Sequence, residues 1–386
     1  MNLLSTETIS DTRLPEDSHE KGQFSYVQRL VAERPVNMVA NAHVSAFALE
    51  LGGRLVPLIA SDGKPADGTV CSMQAHYVES PSNQLSQLGS CFYASAARPF
   101  LGLLRLVIRA GGLGRVLYLN DWLLTTNPEP RLNKGELKKI TRFLTAEFPD
   151  RAIVIRSVNQ LTRPELQTAL LEKGFELTRS RRIYIFDPNR DGFRRKENLR
   201  KDLRLLRNWP GTVGKGPLGE NEIDRVTKLY RGLYLRKYSS GNPDFTEQFF
   251  RTVINEGIFQ FRYFELNGEI LAFTAWKQEL GSILGTLIGY DLARPREMGL
   301  LRMAFALDFA EALDQDVPYH LSSGNGHFKR LRGGVPTTEY DAVFSRHLSL
   351  RKRRFWKLFQ VLMRLAERVE GEKIDFKKAP ELVSNV

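Results

Sequence analysis

The sequence predicts an α/β protein built as two tandem copies of one layout. Three observations carry this expectation. In the first half, short β-branched and aromatic runs alternate with apolar residues at helical spacing. The same order of strands and helices returns in the second half. The chain has 386 residues, beyond one ordinary domain of ~150, and its 42% apolar content fills two cores.

The elements follow in order. Residues 1–23 are polar, with Glu7, Asp11, Glu16 and Asp17, and are expected as a disordered start with no basic, then apolar, secretory leader. "FALELGGRLVPLIAS" joins two apolar runs through Gly52-Gly53 and predicts a hairpin; "GRVLYLNDWLLTT" predicts a strand. "NKGELKKITRFLTAEFP" repeats Leu137, Ile140, Leu144 and Phe148 at helical spacing, and "AIVIRSV" is a strand. Thr162 as N-cap, Pro164 in the first turn and Gly174 as a stop bound the next helix, before the strand "RRIYIFD".

The second half begins after a basic stretch, "GFRRKENLRKDLRLLRNWPGTVGKG", in which Leu199, Leu203 and Leu206 share a helix face and the Pro/Gly-rich end breaks the chain. Its cations serve either as a solvated face over the junction or as a grip on an anionic substrate or RNA. Strands "FQFRYFEL", "EILAFTAWK" and "SILGTLIGYDL" precede the helix "LLRMAFALDFAEAL", the strand "PYHLSS", a glycine-rich stretch and the strand "TEYDAVFSRHL". The expected division is a start at 1–23, a first copy at 24–190, a connecting helix and linker at 191–216, a second copy at 217–348, a basic amphipathic helix at 349–370 and a tail at 371–386. That last helix places Phe355, Leu358, Phe359, Leu362, Leu365 and Ala366 on one face, to dock on the core or on an anionic membrane.

Composition narrows the chemistry. No run of about 18 uncharged apolar residues occurs, so a cytoplasmic protein, at most peripheral to a membrane, is expected. Two cysteines, Cys71 and Cys91, and six scattered histidines give neither a disulfide framework nor a zinc pattern, and no metal is expected. There is no Gly-x-Ser-x-Gly elbow. A net charge of +12 and a pI near 9.6 imply an acidic partner: a phosphate-bearing cofactor, nucleic acid or an anionic membrane. "GNGHFK" is neither a Walker A loop, lacking the four-residue spacing and Gly-Lys-Ser/Thr, nor a dinucleotide fingerprint, having Lys329 where a third glycine is needed.

The order of second-half elements, with "IGYDLARPREMGLLRMAFALDFAEAL" and then "YHLSSGNGHFKRLRGG", resembles the GNAT acyltransferase superfamily, and more narrowly its double-GNAT branch of CelD-like and FemAB-like transferases. The likeness covers roughly residues 193–347; the first half matches in layout only. It implies two tandem GNAT-like domains, each a mixed twisted sheet flanked by helices. Arg296, Glu297, Met298, Gly299, Leu300 and Leu301 stand where that superfamily has Arg/Gln-x-x-Gly-x-Gly/Ala, with Leu301 departing from the pattern. Free N–H groups and the dipole of a helix start suit the pyrophosphate of coenzyme A.

By the same resemblance, "HFK" is similar to the CelD-like aromatic-Lys pair, with Phe328 in place of Tyr, and Asn325, His327 and Lys329 flank the slot for donor and acceptor. His327 is then a candidate base, or part of a tight turn whose Lys329 faces solvent. Tyr290 and Asp291 end the fourth strand, where Asp291 takes the ammonium proton directly or through water, or caps the next loop. Tyr340 protonates the departing thiolate or packs in the core. The implied function is transfer of an acyl group from acyl-coenzyme A, acetyl or longer, to an amine on a small molecule, lipid or glycan. The alternatives are a FemAB-like transferase using aminoacyl-tRNA, and a non-catalytic module binding nucleic acid or a membrane surface.

Overall fold

A computed structural model describes residues 1–12, 18–87, 92–190, 192, 196–279 and 281–373. The first half runs β1 (Asn2–Leu4), α1 (Ser18–Ala32), α2 (Pro35–Met38), β2 (Ser45–Leu51), β3 (Arg54–Ser61), α3 (Ser80–Gln87), α4 (Phe92–Gly111), β4 (Val116–Leu119), α5 (Lys134–Glu147), β5 (Ala152–Val158), α6 (Pro164–Glu172) and β6 (Glu176–Phe186). A connecting helix α7 (Glu197–Arg207) leads to β7 (Thr212–Lys215), α8 (Glu220–Arg231), α9 (Glu247–Asn255), β8 (Gln260–Leu266), β9 (Glu269–Glu279), β10 (Ser282–Tyr290), α10 (Leu300–Asp314), β11 (Tyr319–His320), α11 (Gly326–Arg330) and β12 (Val335–Phe344). Helix α12 (Leu350–Lys373) follows. Set aside α3, α4, α7 and α12, and both halves lay down the same strands and helices in the same order.

All strands join one 12-stranded sheet, ordered β1-β2-β3-β4-β5-β12-β6-β11-β10-β9-β8-β7. That order is symmetric about its middle. β4 and β5 are parallel, as are β10 and β11, and the other neighbours are antiparallel. Each half gives its last strand to the other: β12 lies against β5, and β6 lies against β11. The two repeated layouts are therefore interlocked through the long β6–β12 pair at the centre.

Local sequence accounts for the pieces. Gly52 and Gly53, at φ +56° and +79°, make the hairpin turn between β2 and β3, a region where a β-carbon is penalised. Asn133 and Glu136 form a capping box on α5, Asn133 accepting from the Glu136 N–H at 2.9 Å and Glu136 from the Asn133 N–H at 2.9 Å, worth about 1 kcal/mol. Every residue of β5 is buried: the apolar run Ala152–Ile155 suits a strand covered on both faces, and Arg156 and Ser157 are buried with it. Helix α10 is apolar around most of its circumference and is correspondingly sunk between α7 and the sheet, with Met303, Ala304, Ala306 and Phe309 fully buried.

Several expectations are corrected. The polar start is held: β1 pairs with β2 and turns Leu4 into the core, and Ile9 of the following 3₁₀ turn is buried as well. Residues 13–17 of that segment lie outside the described residues, as do 193–195 of the basic connector and 374–386 of the tail. Thr162 does not cap α6; Arg163 occupies the N-cap position, and the Thr162 N–H donates to Asn159 Oδ1 at 2.9 Å. "GTVGKG", read as a chain breaker, supplies the edge strand β7. The apolar face expected on the last helix divides. Phe359 and Leu362 are buried with Trp356 and Met363, whereas Leu358 and Leu365 face outward.

Candidate active site

β10 and β11 pair at only two positions, Ile283↔Tyr319 and Leu284↔His320, and then part. β10 bulges between Gly285 and Leu287 and continues to Tyr290 with β9 on one side, while the chain beyond β11 turns away through Ser322, Gly324 and Asn325, all at positive φ. Separation of two parallel strands beyond their shared hydrogen bonds leaves a slot at their carboxyl ends, where open α/β sheets bind ligands.

Four segments bring polar groups to this slot. A single π-helical stretch after α8, Gly232–Tyr238, carries Lys237 and Tyr238; such widened turns recur at functional sites. Lys237 Nζ donates to Tyr290 Oη at 3.3 Å and lies 5.8 Å from the centres of both the Tyr238 and Tyr290 rings. Burial, with Arg296 nearby, pushes the Lys237 ammonium below its ordinary range. Burial and the neighbouring Tyr238 raise the Tyr290 phenol to about 12, against the pull of Arg296. Burial also raises the Tyr238 phenol, opposed by a hydrogen bond with Asn325. Lys237, Tyr238, Tyr290, Arg296 and Asn325 thus converge on one place, each phenol keeping its proton at neutral pH.

The turn before α10 gathers the expected anion-binding residues. Arg296–Met298 form one 3₁₀ turn, and Gly299 adopts φ +66°, ψ +30°, the left-handed region that glycine enters freely. Leu300 is buried, and Met298 and Leu301 are half-buried against the aromatic core. The N–H groups of Leu300 and Leu301 open the helix, where no intrahelical acceptor exists. A β-carbon on Gly299 would stand 2.5 Å from Leu205 Cδ2 of α7, so α7 packs directly on this turn. Buried Asp202 of α7 holds it there, accepting from Arg302 Nε at 2.7 Å and Arg332 Nε at 2.5 Å.

The other expected residues are distributed differently. Asp291 accepts from Arg225 Nη2 at 2.9 Å and from the Ala293 N–H at 2.9 Å, with Arg294 at 3.4 Å. Burial favours its neutral form, but these donors outweigh it and hold the carboxyl below its usual range. His327 is exposed on α11. Lys329 is buried rather than solvent-facing, its Nζ donating to the carbonyls of Leu321 at 2.6 Å and Ser323 at 2.7 Å, which pins the chain after β11 in its departing course. Burial, then repulsion from Arg181, lowers that ammonium to about 7. Tyr340 is not brought to the slot; it packs with the first-half core, 3.4 Å from Glu367 of α12. Lys237 and Tyr238 went unread in the sequence, although the aromatic-basic run "YLRKYSSGN" was a usable signal.

The corresponding position in the first half is filled. Beyond the β4–β5 pairing, Arg156 Nη1 donates to Asp121 Oδ2 at 3.1 Å and the Val70 carbonyl at 2.8 Å, and Tyr77 Oη donates to Asp341 Oδ2 at 2.8 Å. All four side chains are buried. Beside them Arg181 Nε donates to Glu339 Oε1 at 2.6 Å, and the second Glu339 oxygen lies 3.6 Å from His320 Nε2. Among the described residues there is no group of three or more His, Cys, Asp or Glu side chains placed to hold a metal ion, and no helix long and apolar enough to cross a membrane.

No protein-family model matches the chain, and no curated protein matches it. Among solved structures, FemX aligns at TM-score 0.47 and 9% identity, covering 93% of this chain and 100% of that one. L-PGS from Bacillus licheniformis aligns at 0.42 and 17%, covering 58% and 76%, and a GCN5-related N-acetyltransferase from Kribbella flavida at 0.31 and 14%, covering 60% and 81%.

Proposed function

We propose that this protein is an N-acyltransferase whose second half accepts an acyl thioester, acyl-coenzyme A, in the slot between β10 and β11 and passes the acyl group to an amine. The observation that carries the reading is the parting of β10 from β11 after two residue pairs, with the start of α10 at its mouth and Tyr290 at the end of β10. The first-turn N–H groups and Arg296 suit a pyrophosphate. In the reaction the amine nitrogen bonds to the thioester carbonyl carbon, the carbon–sulfur bond breaks, sulfur takes a proton from Tyr290, and the new ammonium's proton passes, directly or through water, to the Tyr290 phenolate. Tyr290, protonated at neutral pH and hydrogen-bonded to Lys237, is the proton donor to sulfur; Lys237 steadies the phenolate that remains. Asp291, tied to Arg225 and the following loop, positions the strand end.

A second donor is favoured by one specific feature. The outer face of α7 exposes Arg200, Lys201, Arg204 and Arg207, beside the turn at Gly299, and such a face fits the phosphates of an aminoacyl-tRNA. Calorimetric titration with acetyl-, medium-chain and long-chain acyl-coenzyme A, and separately with charged tRNA, distinguishes the two. Micromolar binding of one acyl-coenzyme A, weakened at least tenfold in Arg296→Glu, supports the thioester reading. Binding of tRNA alone transfers the reading to the second donor, and binding of neither sinks both.

A further inference from the structure

The elements without a counterpart in the duplicated layout include α4, inserted between β3 and β4, and α12, appended after β12. They pack on each other. A β-carbon on Gly111 of α4 would meet Phe355 Cβ of α12 at 2.5 Å, and Arg351 donates to the Ala110 carbonyl at 3.3 Å. Their inner faces, Leu104, Val107 and Ile108 with Trp356, Phe359 and Met363, are buried in a common core. Their outer faces are not polar: Leu103 and Leu106 of α4 and Leu358, Val361 and Leu365 of α12 are between 42% and 63% exposed. Leu358 lies three residues beyond Phe355 and Leu365 seven beyond that, so the apolar stripe follows the edge of α12 that adjoins α4.

Charge identifies what covers this face. Among the described side chains its exposed ionised groups are cations, among them Arg98 and Arg109 on α4 and Arg354, Lys357, Arg364 and Arg368 on α12. Glu367, the acid among the described side chains of α12, turns instead toward Thr338 and Tyr340. We infer that α4 and α12 together form a docking face for an anionic lipid bilayer, the leucines entering the headgroup boundary and the arginines and lysine meeting lipid phosphates. A leucine stripe flanked by cations is the composition that lies flat in such an interface. A second copy of the chain would bring six like charges against six. The total charge of +12 adds long-range attraction to an anionic surface.

The test is co-sedimentation of the full chain with sucrose-loaded vesicles of equimolar phosphatidylglycerol and phosphatidylcholine, against pure phosphatidylcholine. Expected is binding to the anionic vesicles at least tenfold stronger than to the neutral ones and weakened by salt. Arg364→Gln with Arg368→Gln lowers the partition coefficient about 25-fold, at roughly fivefold per cation near the surface. Leu358→Glu with Leu365→Glu abolishes binding while leaving the thermal midpoint unchanged, since both positions are exposed. The inference is overturned if the anionic vesicles bring down no protein, or if the leucine pair binds as the parent does. It is equally overturned if sedimentation equilibrium without vesicles gives a dimer that the leucine pair converts to monomer.

Discussion

The two halves share an order of elements and a pair of parting parallel strands, yet treat the resulting gap oppositely. In the first half the gap holds two bonded pairs, Arg156 with Asp121 and Tyr77 with Asp341, all shut from water. In the second half the equivalent gap is flanked by half-exposed Tyr290, Lys237 and Asn325, whose charges and phenols are not all spent on one another. The same backbone opening is thus a structural joint in one copy and an available slot in the other. A carboxylate paired inside the joint stiffens it, while groups left facing a cleft remain free to meet a substrate.

The largest expected effect tests the joint. Arg156→Met leaves Asp121 buried with no cation, which costs about 3–5 kcal/mol of folding stability. Urea unfolding should show the midpoint falling steeply, while turnover per folded molecule stays at the parent value. A variant that kept its stability but lost turnover would reverse the assignment of the two gaps. The next effect tests the slot. Tyr290→Phe removes one hydroxyl from a half-exposed strand end and should lower kcat roughly 100-fold, with donor KM changed much less and the urea midpoint unmoved. A loss confined to KM would leave Tyr290 a binding group.

The layout was legible in the sequence because it is written in periodicity: β-branched runs such as "AIVIRSV" and helix-spaced leucines survive without knowledge of their partners. The turn at Arg296–Leu301 was likewise readable, since a glycine opening an apolar helix has a local cause in its left-handed backbone. Strand exchange was not legible. β12 reads as the last strand of the second half, and only long-range pairing places it beside β5. For the same reason the sequence left Tyr340 between the slot and the core, and it packs in the core on the other side of the seam. Lys329 illustrates a further limit: the sequence placed it at the slot or in solvent, and only the three-dimensional course of Leu321–Ser323 supplies the carbonyls that bury it. Lys237 and Tyr238 were missed because the π-helical turn that aims them has no simple sequence period.

The smallest effect sharpens the comparison through pH. Within the closed joint Asp341 is fully buried; its neighbours are Tyr77, Arg156 on β5, Arg181 on β6 and Glu339 on its own strand. Burial raises its carboxyl from the ordinary 3.8 to about 6, the cations only partly opposing it. A raised folded value means that the folded state holds the proton more tightly than the unfolded chain. The resulting stabilisation is complete below 3.8 and is lost as pH rises through about 6. Asp341→Asn keeps a neutral group of the same shape and removes this slope, so the thermal midpoints of parent and variant should diverge by a few degrees between pH 4 and 6 and run parallel above. Turnover should follow the same pH profile in both, because the joint carries no reacting group. A shifted turnover profile in Asp341→Asn would mean that the first-half gap is coupled to the chemistry, and that the difference between the halves is one of burial alone.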